Sequence, residues 1–410
     1  MSSDLGLSVH ENPAQDAPQH LDGVLIDGQV SCLSWRGETI VGIAPAAGPA
    51  RWLALPLPVD PHVHLDKTHI IGRCRPGAGG LFAAIEAQHA DMVHWDGADI
   101  RRRAGRALDE AWRNGLRALR THVDWTTPQV PLAWEVLGEL AAEWSGRIAI
   151  QRAALCPLDL LADPDIGPGI AKSVAREAGA VLGAFVYRND DIEEKLARVF
   201  ALAERHGLNL DFHVDEGLEP EARGFDCIVA LTARHGMAQH VLCGHACALS
   251  VRPADEVARV LDEAARAGVG LTVLPSTNSW LQDATPGRTP RLRGLAPLQE
   301  ARRAGVDVLF GADNVADPFF PFGAYDALDI HRQAVLAAHL DPADWTDAIT
   351  SRPARWLGLD PAPPAVGGRA EFMLLGASDW GETMRCPRTP RRIFRAGQEQ
   401  PDEQVTEDRT

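Results

Sequence analysis

The sequence contains no apolar run that approaches the ~18 residues needed to cross a membrane, and it therefore predicts no transmembrane helix. Its polar N-terminus also lacks the charged and then apolar build of a signal peptide. Basic residues are fewer than acidic ones: 40 lysines and arginines against 56 aspartates and glutamates give a formal net charge of −16. This balance argues against nucleic acid and against an anionic membrane surface as partners.

Cysteines are few, and their arrangement does not resemble a disulfide framework. Seven are scattered along a chain of 410 residues, and the number is odd. Cys243 and Cys247 have the loose spacing of a metal pair, but no second pair accompanies them, so buried packing is the favoured interpretation. The cysteine usage predicts a reducing cytoplasm as the location of the protein.

Hydrophobic residues make up 45% of the chain, which is enough for a full core. The length allows two or three domains, or one large α/β barrel with an attachment. Apolar runs alternate with amphipathic patterns through most of the sequence. The predicted strands are 57–63, 116–123, 147–155, 180–187, 208–214, 240–245, 269–275 and 306–312. The predicted helices are 98–114, 131–144, 190–206, 223–235, 253–267 and 323–339.

Eight strands with crossover helices favour a (β/α)8 TIM barrel over an open sheet. Glycines stand where several of these helices should end, as helix-terminating glycines do. Both ends of the chain show short alternating runs instead, at 23–44 and again after a proline- and glycine-rich break near 361–368. These runs predict one small β-sandwich module. The expected organisation is a disordered leader 1–20, a β module from 21–56 and 360–397, a metal-hydrolase barrel 57–359 and a disordered tail 398–410.

Polar side chains stand at the predicted carboxyl ends of five of the eight strands, where barrel active sites lie. His62 and His64 are two residues apart, so both project to the same side of the first strand. The other strand ends carry His122 and Asp124, then His213, Asp215 and Glu216, then His245, and finally Asp313 and Asn314.

Each of these histidines alone is best interpreted as a hydrogen-bonded core residue, and Glu216 alone as a solvated loop acid. Together they favour a cation, because buried polar groups need partners. Three histidines and one carboxylate suit a divalent ion such as Zn²⁺ or Fe²⁺. An open coordination position would hold a water molecule whose pKa falls toward ~7. Glu216, three residues after His213, could carry the proton to a leaving nitrogen.

At these motifs the chain resembles the amidohydrolase superfamily, most closely its cytosine deaminase branch, which includes N-isopropylammelide amidohydrolase. The matching segments are 61–67, 120–124, 212–216, 244–245 and 311–319. The resemblance implies a distorted barrel and one metal ion, zinc or iron. It also implies ligands at His62, His64, His213 and Asp313, with Glu216 as the proton shuttle and His245 beside the metal-bound water.

The substrate-reading positions depart from the cytosine enzymes. Leu158 stands where those enzymes have a glutamine, Asn314 replaces an aspartate, Phe319 replaces a tryptophan and Trp280 replaces a histidine. Lys67 matches the triazine branch, with an ordinary surface lysine as the equal alternative. These five are the expected substrate contacts. They predict a substrate less basic than cytosine, oxygenated on one edge and apolar on another, and weak or no turnover of cytosine.

The leading hypothesis is a metal-dependent hydrolytic deaminase. Metal-bound hydroxide would attack an amidine-like ring carbon of a small nitrogen heterocycle and release ammonia or an amine. One alternative is a hydrolase of cyclic amide or carbamoyl-type C–N bonds on the same scaffold. Another is a non-catalytic metal or ligand binder, against which Glu216 argues. The expected partner is a small heterocycle, and exposed barrel helices of the predicted kind are compatible with self-association.

Overall fold

The computed structural model describes residues 18–74, 80–386 and 388–401, which form two compact units. One unit spans Pro58–Pro361, and the other combines the residues up to Leu57 with those from Ala362 onward. The strands of the described residues are β1 (Gln19–Ile26), β2 (Gln29–Arg36), β3 (Thr39–Pro45), β4 (Trp52–Pro56), β5 (Val59–Val63), β6 (Ala118–Asp124), β7 (Ala149–Pro157), β8 (Val181–Val186), β9 (Asn209–Val214), β10 (Val241–His245), β11 (Gly270–Val273), β12 (Val308–Phe310), β13 (Phe372–Leu375), β14 (Arg391–Arg395) and β15 (Gln398–Glu399).

Helices separate most of these strands. The α-helices of the described residues are α1 (Gly80–Asp91), α2 (Gly97–Arg113), α3 (Leu132–Glu143), α4 (Leu158–Leu161), α5 (Gly167–Val174), α6 (Ile192–His206), α7 (Gly224–His235), α8 (Ala254–Ala267), α9 (Pro275–Leu281), α10 (Leu298–Ala304), α11 (Ala327–Ala338), α12 (Ser351–Trp356) and α13 (Trp380–Arg385). None of these helices is long and apolar enough to cross a membrane.

Strands β5 to β12 form one parallel sheet in which each strand neighbours the next along the chain. The sheet curls until its first and last strands meet. There the backbone N–H of Asp313 donates to the carbonyl oxygen of His62 at 2.8 Å, and Val63 bridges Asp313 in parallel. The predicted (β/α)8 barrel is confirmed. Its carboxyl-terminal rim carries the polar strand ends, as such barrels require.

The terminal strands form a second sheet in the order β15-β14-β13-β4-β1-β2-β3, so both ends of the chain build one β module, as predicted. Its pairings are antiparallel except for β1 with β4. Edge-to-face contacts of Trp35 with Phe372 and Phe394 lie in its core. Most of the expected disordered leader and tail lies outside the described residues. The strands nevertheless extend past the expected limits, to Gln19 and Glu399.

A buried ion pair joins three strands inside the barrel. The Arg120 guanidinium donates to Asp211 at 2.6 Å, to Gln151 at 2.7 Å and to the Trp356 carbonyl at 2.9 Å. Neither Arg120 nor Asp211 is more than 2% exposed. Removing one partner of such a pair leaves a buried charge without compensation, which is far more costly than losing a surface pair.

We therefore expect Arg120→Met to lower the free energy of unfolding by about 3–5 kcal/mol in urea titrations. Arg259 pairs with Glu263 on α8, with side chains that are 57% and 42% exposed. The matched control Arg259→Met should change the same quantity by about 0.5 kcal/mol or less. Equal effects in the two variants would contradict the assignment of a structural role to the interior pair.

Candidate active site

Four side chains converge at the barrel rim. His62 and His64 come from the end of β5, His213 from β9 and Asp313 from the segment after β12. The Nε2 atom of His213 lies 3.1 Å from Nε2 of His62 and 3.2 Å from Nε2 of His64. Asp313 Oδ1 lies 3.4 Å and 3.2 Å from those two nitrogens.

These separations fit a bound metal ion. Ligands held tetrahedrally at about 2.0–2.1 Å from zinc are about 3.3 Å from one another. Burial lowers the pKa of His64 to about 4 and the pKa of His213 well below its usual value, so both rings offer lone pairs at neutral pH. The buried carboxylate oxygens of Asp313 have no hydrogen-bond donor among the described residues. A divalent cation would satisfy all four groups.

One buried carboxylate fixes the two chain segments that carry candidate metal ligands where the first and last strands of the barrel meet. Asp60 accepts hydrogen bonds from the backbone N–H of His62 at 3.0 Å and of Ala312 at 3.1 Å. Two glycines leave room for the His62 ring and backbone. A Cβ on Gly244 would lie 2.9 Å from His62 Cε1, and a Cβ on Gly311 would lie 2.9 Å from His62 Cβ. Larger residues at either position would displace the histidine.

Glu216 and His245 lie beside the four-residue group. Glu216 Oε1 is 3.4 Å from His245 Nδ1, and that nitrogen is 3.0 Å from the side-chain nitrogen of Asn278. Burial and the nearby Asp313 charge raise the pKa of Glu216 well above its usual value, so this carboxyl can hold a proton. Burial lowers the pKa of His245 to about 3 and keeps its ring neutral.

The backbone is strained where these side chains leave their strands. Asp215, His245 and Asp313 have φ values of 48°, 68° and 61°, in the left-handed region that residues other than glycine seldom adopt. Asp215 is held there by hydrogen bonds from the N–H groups of Gly224 and Phe225. Strain of this kind clusters at functional sites, where the surrounding structure enforces it.

A cavity of about 260 Å³ opens above the group, and His64, His213, Glu216, His245 and Asp313 line its floor. One wall is apolar, because a hydrophobic cluster packs α1 and α9 against the segment after β12. The members of that cluster that line the cavity are Leu81, Ile85, Phe185 and Phe319.

A second part of the cavity wall is polar and charged. The Lys67 ammonium donates to Asp124 Oδ1 at 2.8 Å, and the Gln88 amide donates to Asp124 Oδ2 at 2.7 Å. Burial alone would lower the pKa of Lys67, but Asp124 and Asp66 raise it overall, so the side chain is a cation. Gln88 lies on α1, a helix absent from the sequence prediction, and Asn278 lies on the unpredicted α9. The sequence indicated two members of this wall, Lys67 as an expected substrate contact and Asp124 at the end of predicted strand 2, but not Gln88.

Three of the five expected substrate contacts line the cavity, namely Lys67, Asn314 and Phe319. The other two lie outside the cavity lining. Leu158 opens α4 and is fully buried outside the cavity lining. Trp280 is 43% exposed on α9, where its ring contacts Phe322 rather than the cavity.

His122 lies beneath the four-residue group. Its ring packs against His62 at a centroid distance of 4.0 Å with a tilt of 33°, and its Nε2 atom is 3.6 Å from Asp211. Burial lowers the pKa of His122 well below its usual value. It is fully buried and does not line the cavity, so it supports the His62 ring rather than facing a substrate.

Comparison with known proteins agrees with this geometry. A model of the amidohydrolase family matches residues 185–392. Pterin deaminase of Rhizobium rhizogenes is 35% identical over 389 residues, which cover 94% of this chain and 89% of that protein. The chain belongs to the amidohydrolase family, and it is a hydrolase of C–N bonds.

Solved structures share the fold. The 5-methylcytosine deaminase of Klebsiella pneumoniae superposes with a TM-score of 0.83 at 24% identity, covering 96% of this chain and 99% of that one. The N-isopropylammelide isopropylaminohydrolase of Burkholderia multivorans gives 0.76 at 23% identity, covering 93% and 97%. The resemblance expected from the motifs, to the cytosine deaminase branch and its ammelide-hydrolysing members, is confirmed.

Proposed function

We propose that this protein is a metal-dependent hydrolytic deaminase of a small nitrogen heterocycle, and that its substrate is a pteridine of the pterin type. The proposal rests on one observation: Glu216, which can hold a proton, and the neutral His245 lie beside the four-residue group at the floor of one cavity. The pteridine assignment rests on the 35% identity to a pterin deaminase over nearly the whole chain.

His62, His64, His213 and Asp313 would hold one divalent ion, zinc or iron, because imidazole and carboxylate donors accept both. When bound, the ion supplies Lewis-acid chemistry that acidifies a water molecule. Glu216 takes the proton of that water and passes it to the departing nitrogen as ammonia forms. His245 would help to position the Glu216 carboxylate and the attacking water, since its Nδ1 lies 3.4 Å from Glu216 Oε1.

The shape of the cavity supports a bicyclic substrate. Its apolar wall offers the rings of Phe185 and Phe319 together with Leu81 and Ile85, which suits the face of a flat aromatic ligand. The polar wall carries fixed charges that suit one hydrogen-bonding edge. A single pyrimidine ring would use the polar wall but leave part of the apolar wall uncovered.

The test is ammonia release by the purified, metal-loaded enzyme with pterin and cytosine as paired substrates. We expect kcat/KM for pterin above about 10⁴ M⁻¹s⁻¹, within the usual range for a native substrate. Cytosine should be at least ~10²-fold poorer, because polar groups that read one ligand are left unpaired by another. Ring opening without ammonia would favour the cyclic amide hydrolase instead. Efficient turnover of cytosine and none of pterin would overturn the pteridine assignment.

A further inference from the structure

We propose that Lys67, Asp124 and Gln88 form the unit that selects the substrate, and that this unit selects a lactam edge, a ring N–H adjacent to an exocyclic C=O. The inference rests on the proposed function and names the substrate class more closely. It assigns the reading of the ring to α1 and the end of β6, rather than to the segment after β7 that contains Leu158. The edge is adjacent to the amidine-like carbon that would be attacked.

Lys67 has unused donors in a buried position. Its residue is 4% exposed, yet Nζ makes one hydrogen bond, to Asp124, within the described residues. An ammonium group has three N–H donors, and buried donors without partners are costly. The Phe319 ring lies 5.2 Å from Nζ and provides a face but no acceptor atom. A substrate oxygen at this position would satisfy the cation.

Gln88 presents an acceptor, and the orientation of its amide is fixed by chemistry. Asp124 holds a negative charge beside Lys67, and a carboxylate only accepts hydrogen bonds, so the Gln88 amide must turn its nitrogen toward Asp124. The carbonyl oxygen Oε1 is thereby left over. No described residue donates to it, although Gln88 is 2% exposed and lines the cavity. A ring N–H of the substrate would satisfy it.

Lys67 Nζ and Gln88 Nε2 donate to the two oxygens of Asp124 at 2.8 Å and 2.7 Å, so one carboxylate holds the Lys67 donors and the Gln88 Oε1 acceptor side by side. A lactam edge presents the complementary order, with C=O for Lys67 and N–H for Gln88 Oε1. Pterin has such an edge at N3 and C4, next to C2 and its amino group. 2,4-Diaminopteridine has the same two rings but presents a bare ring nitrogen and an amino group at these positions. Its ring nitrogen, an acceptor, would face the Gln88 acceptor, and its amino group, a donor, would face the Lys67 donors.

The fold holds this unit rigidly. The backbone N–H of Asp124 donates to Asp66 at 2.9 Å, which fixes the end of β6. Arg73 donates to Asp91 at the end of α1 at 2.8 Å and to Asp99 at the start of α2 at 2.6 Å. This clamp sets the position of the helix that carries Gln88. Preorganised donors and acceptors discriminate well, because a mismatched ligand cannot be accommodated by rotation.

The experiment measures equilibrium binding by pteridine fluorescence, with metal-loaded protein that carries Glu216→Gln, so that the metal is retained and turnover is suppressed. We expect the full chain to bind pterin at least ~10²-fold more tightly than 2,4-diaminopteridine. Gln88→Met should keep its affinity for 2,4-diaminopteridine within about threefold and lose at least ~10-fold of the preference. If Gln88→Met does not fold, Gln88→Asn, which keeps the amide but shortens its reach, should lose the preference as well.

Matched controls exist elsewhere in the barrel unit. Gln333 donates to Asp329 at 2.9 Å on α11, and Lys195 pairs with Asp159 at 2.7 Å, both away from the cavity. Gln333→Met and Lys195→Met should keep the full preference. A Glu216→Gln protein that binds both pteridines equally, or an unchanged preference once Gln88→Met is added, would overturn the inference. Discrimination in binding without ammonia release from pterin by the native enzyme would leave it standing and would refute the proposed function alone.

Discussion

The His64→Ala protein is expected to lose most of its bound metal and at least ~10²-fold of its deaminase activity. His64 supplies one of the four donor atoms, and its Nε2 lies 3.2 Å from both His213 Nε2 and Asp313 Oδ1, so its removal leaves two nitrogens and one carboxylate. Metal-site changes outside the direct ligands already cost 10–100-fold in affinity or activity, and a lost ligand should cost more. Elemental analysis of the purified variant gives the occupancy directly.

A control histidine separates this effect from a general loss of stability. His240 bonds to Asn209 at 2.7 Å at an exposed position, and His240→Ala should retain full metal content. Thermal unfolding adds a second readout, because an ion that binds only the folded state stabilises it by RT ln(1 + [L]/Kd), which falls when the affinity falls. A chelator should lower Tm in the native protein and much less in His64→Ala. Full occupancy in His64→Ala would show that the proposed ligand set is wrong.

The barrel was predictable because each of its strands is a short buried run with its own boundaries. Strand β9 spans Asn209–Val214 against a predicted 208–214, and β10 spans Val241–His245 against 240–245. Glycines in left-handed conformation end α6, α7 and α8, where the sequence marks the stops. Parallel pairing then brings every carboxyl end to one rim, so ligand-type residues at several strand ends have to meet.

The sequence patterns did not predict two helices at the cavity, α1 and α9, and the reasons are physical. Helix α1 follows a glycine-rich segment and buries residues of both kinds, with Leu81 and Gln88 both lining the cavity. A helix with polar residues on its buried side does not show the apolar stripe that predicts amphipathic helices. Helix α9 is seven residues long and begins at Pro275, which the sequence assigned to the end of a strand. Propensity and period carry little information over so short a stretch.

Two of the expected substrate contacts, Leu158 and Trp280, lie outside the cavity lining for one reason. The position of a residue in the chain does not give the direction of its side chain. Each step along a helix turns the side chain by about 100°. On α9 this turn buries Asn278 beside His245 and leaves Trp280 in solvent two residues later. On strands the alternation is simpler, so His62 and His64 were placed together from spacing alone.

Glu216→Gln should keep the metal and lose about 10²–10⁴-fold in kcat, the usual contribution of a general acid-base group. The amide has the volume of the carboxyl but cannot take up a proton from water or deliver one to nitrogen. Glu216 is not among the four converging donors, so metal content should equal that of the native protein. KM should change little, because the loss concerns proton transfer rather than ring binding.

Asp215→Asn tests whether the effect belongs to the carboxyl that faces the cavity. Asp215 is the neighbouring acid, but its carboxylate accepts backbone hydrogen bonds from Gly224 and Phe225 and does not line the cavity. Its variant should lower Tm, since those N–H groups lose their charged acceptor, and its kcat should fall far less. A Glu216→Gln protein within tenfold of native kcat would mean that another group carries the proton.

The nearest alternative is His245, whose Nδ1 atom lies 3.4 Å from Glu216 Oε1. In that case His245→Gln would show the large loss in kcat that Glu216→Gln lacked.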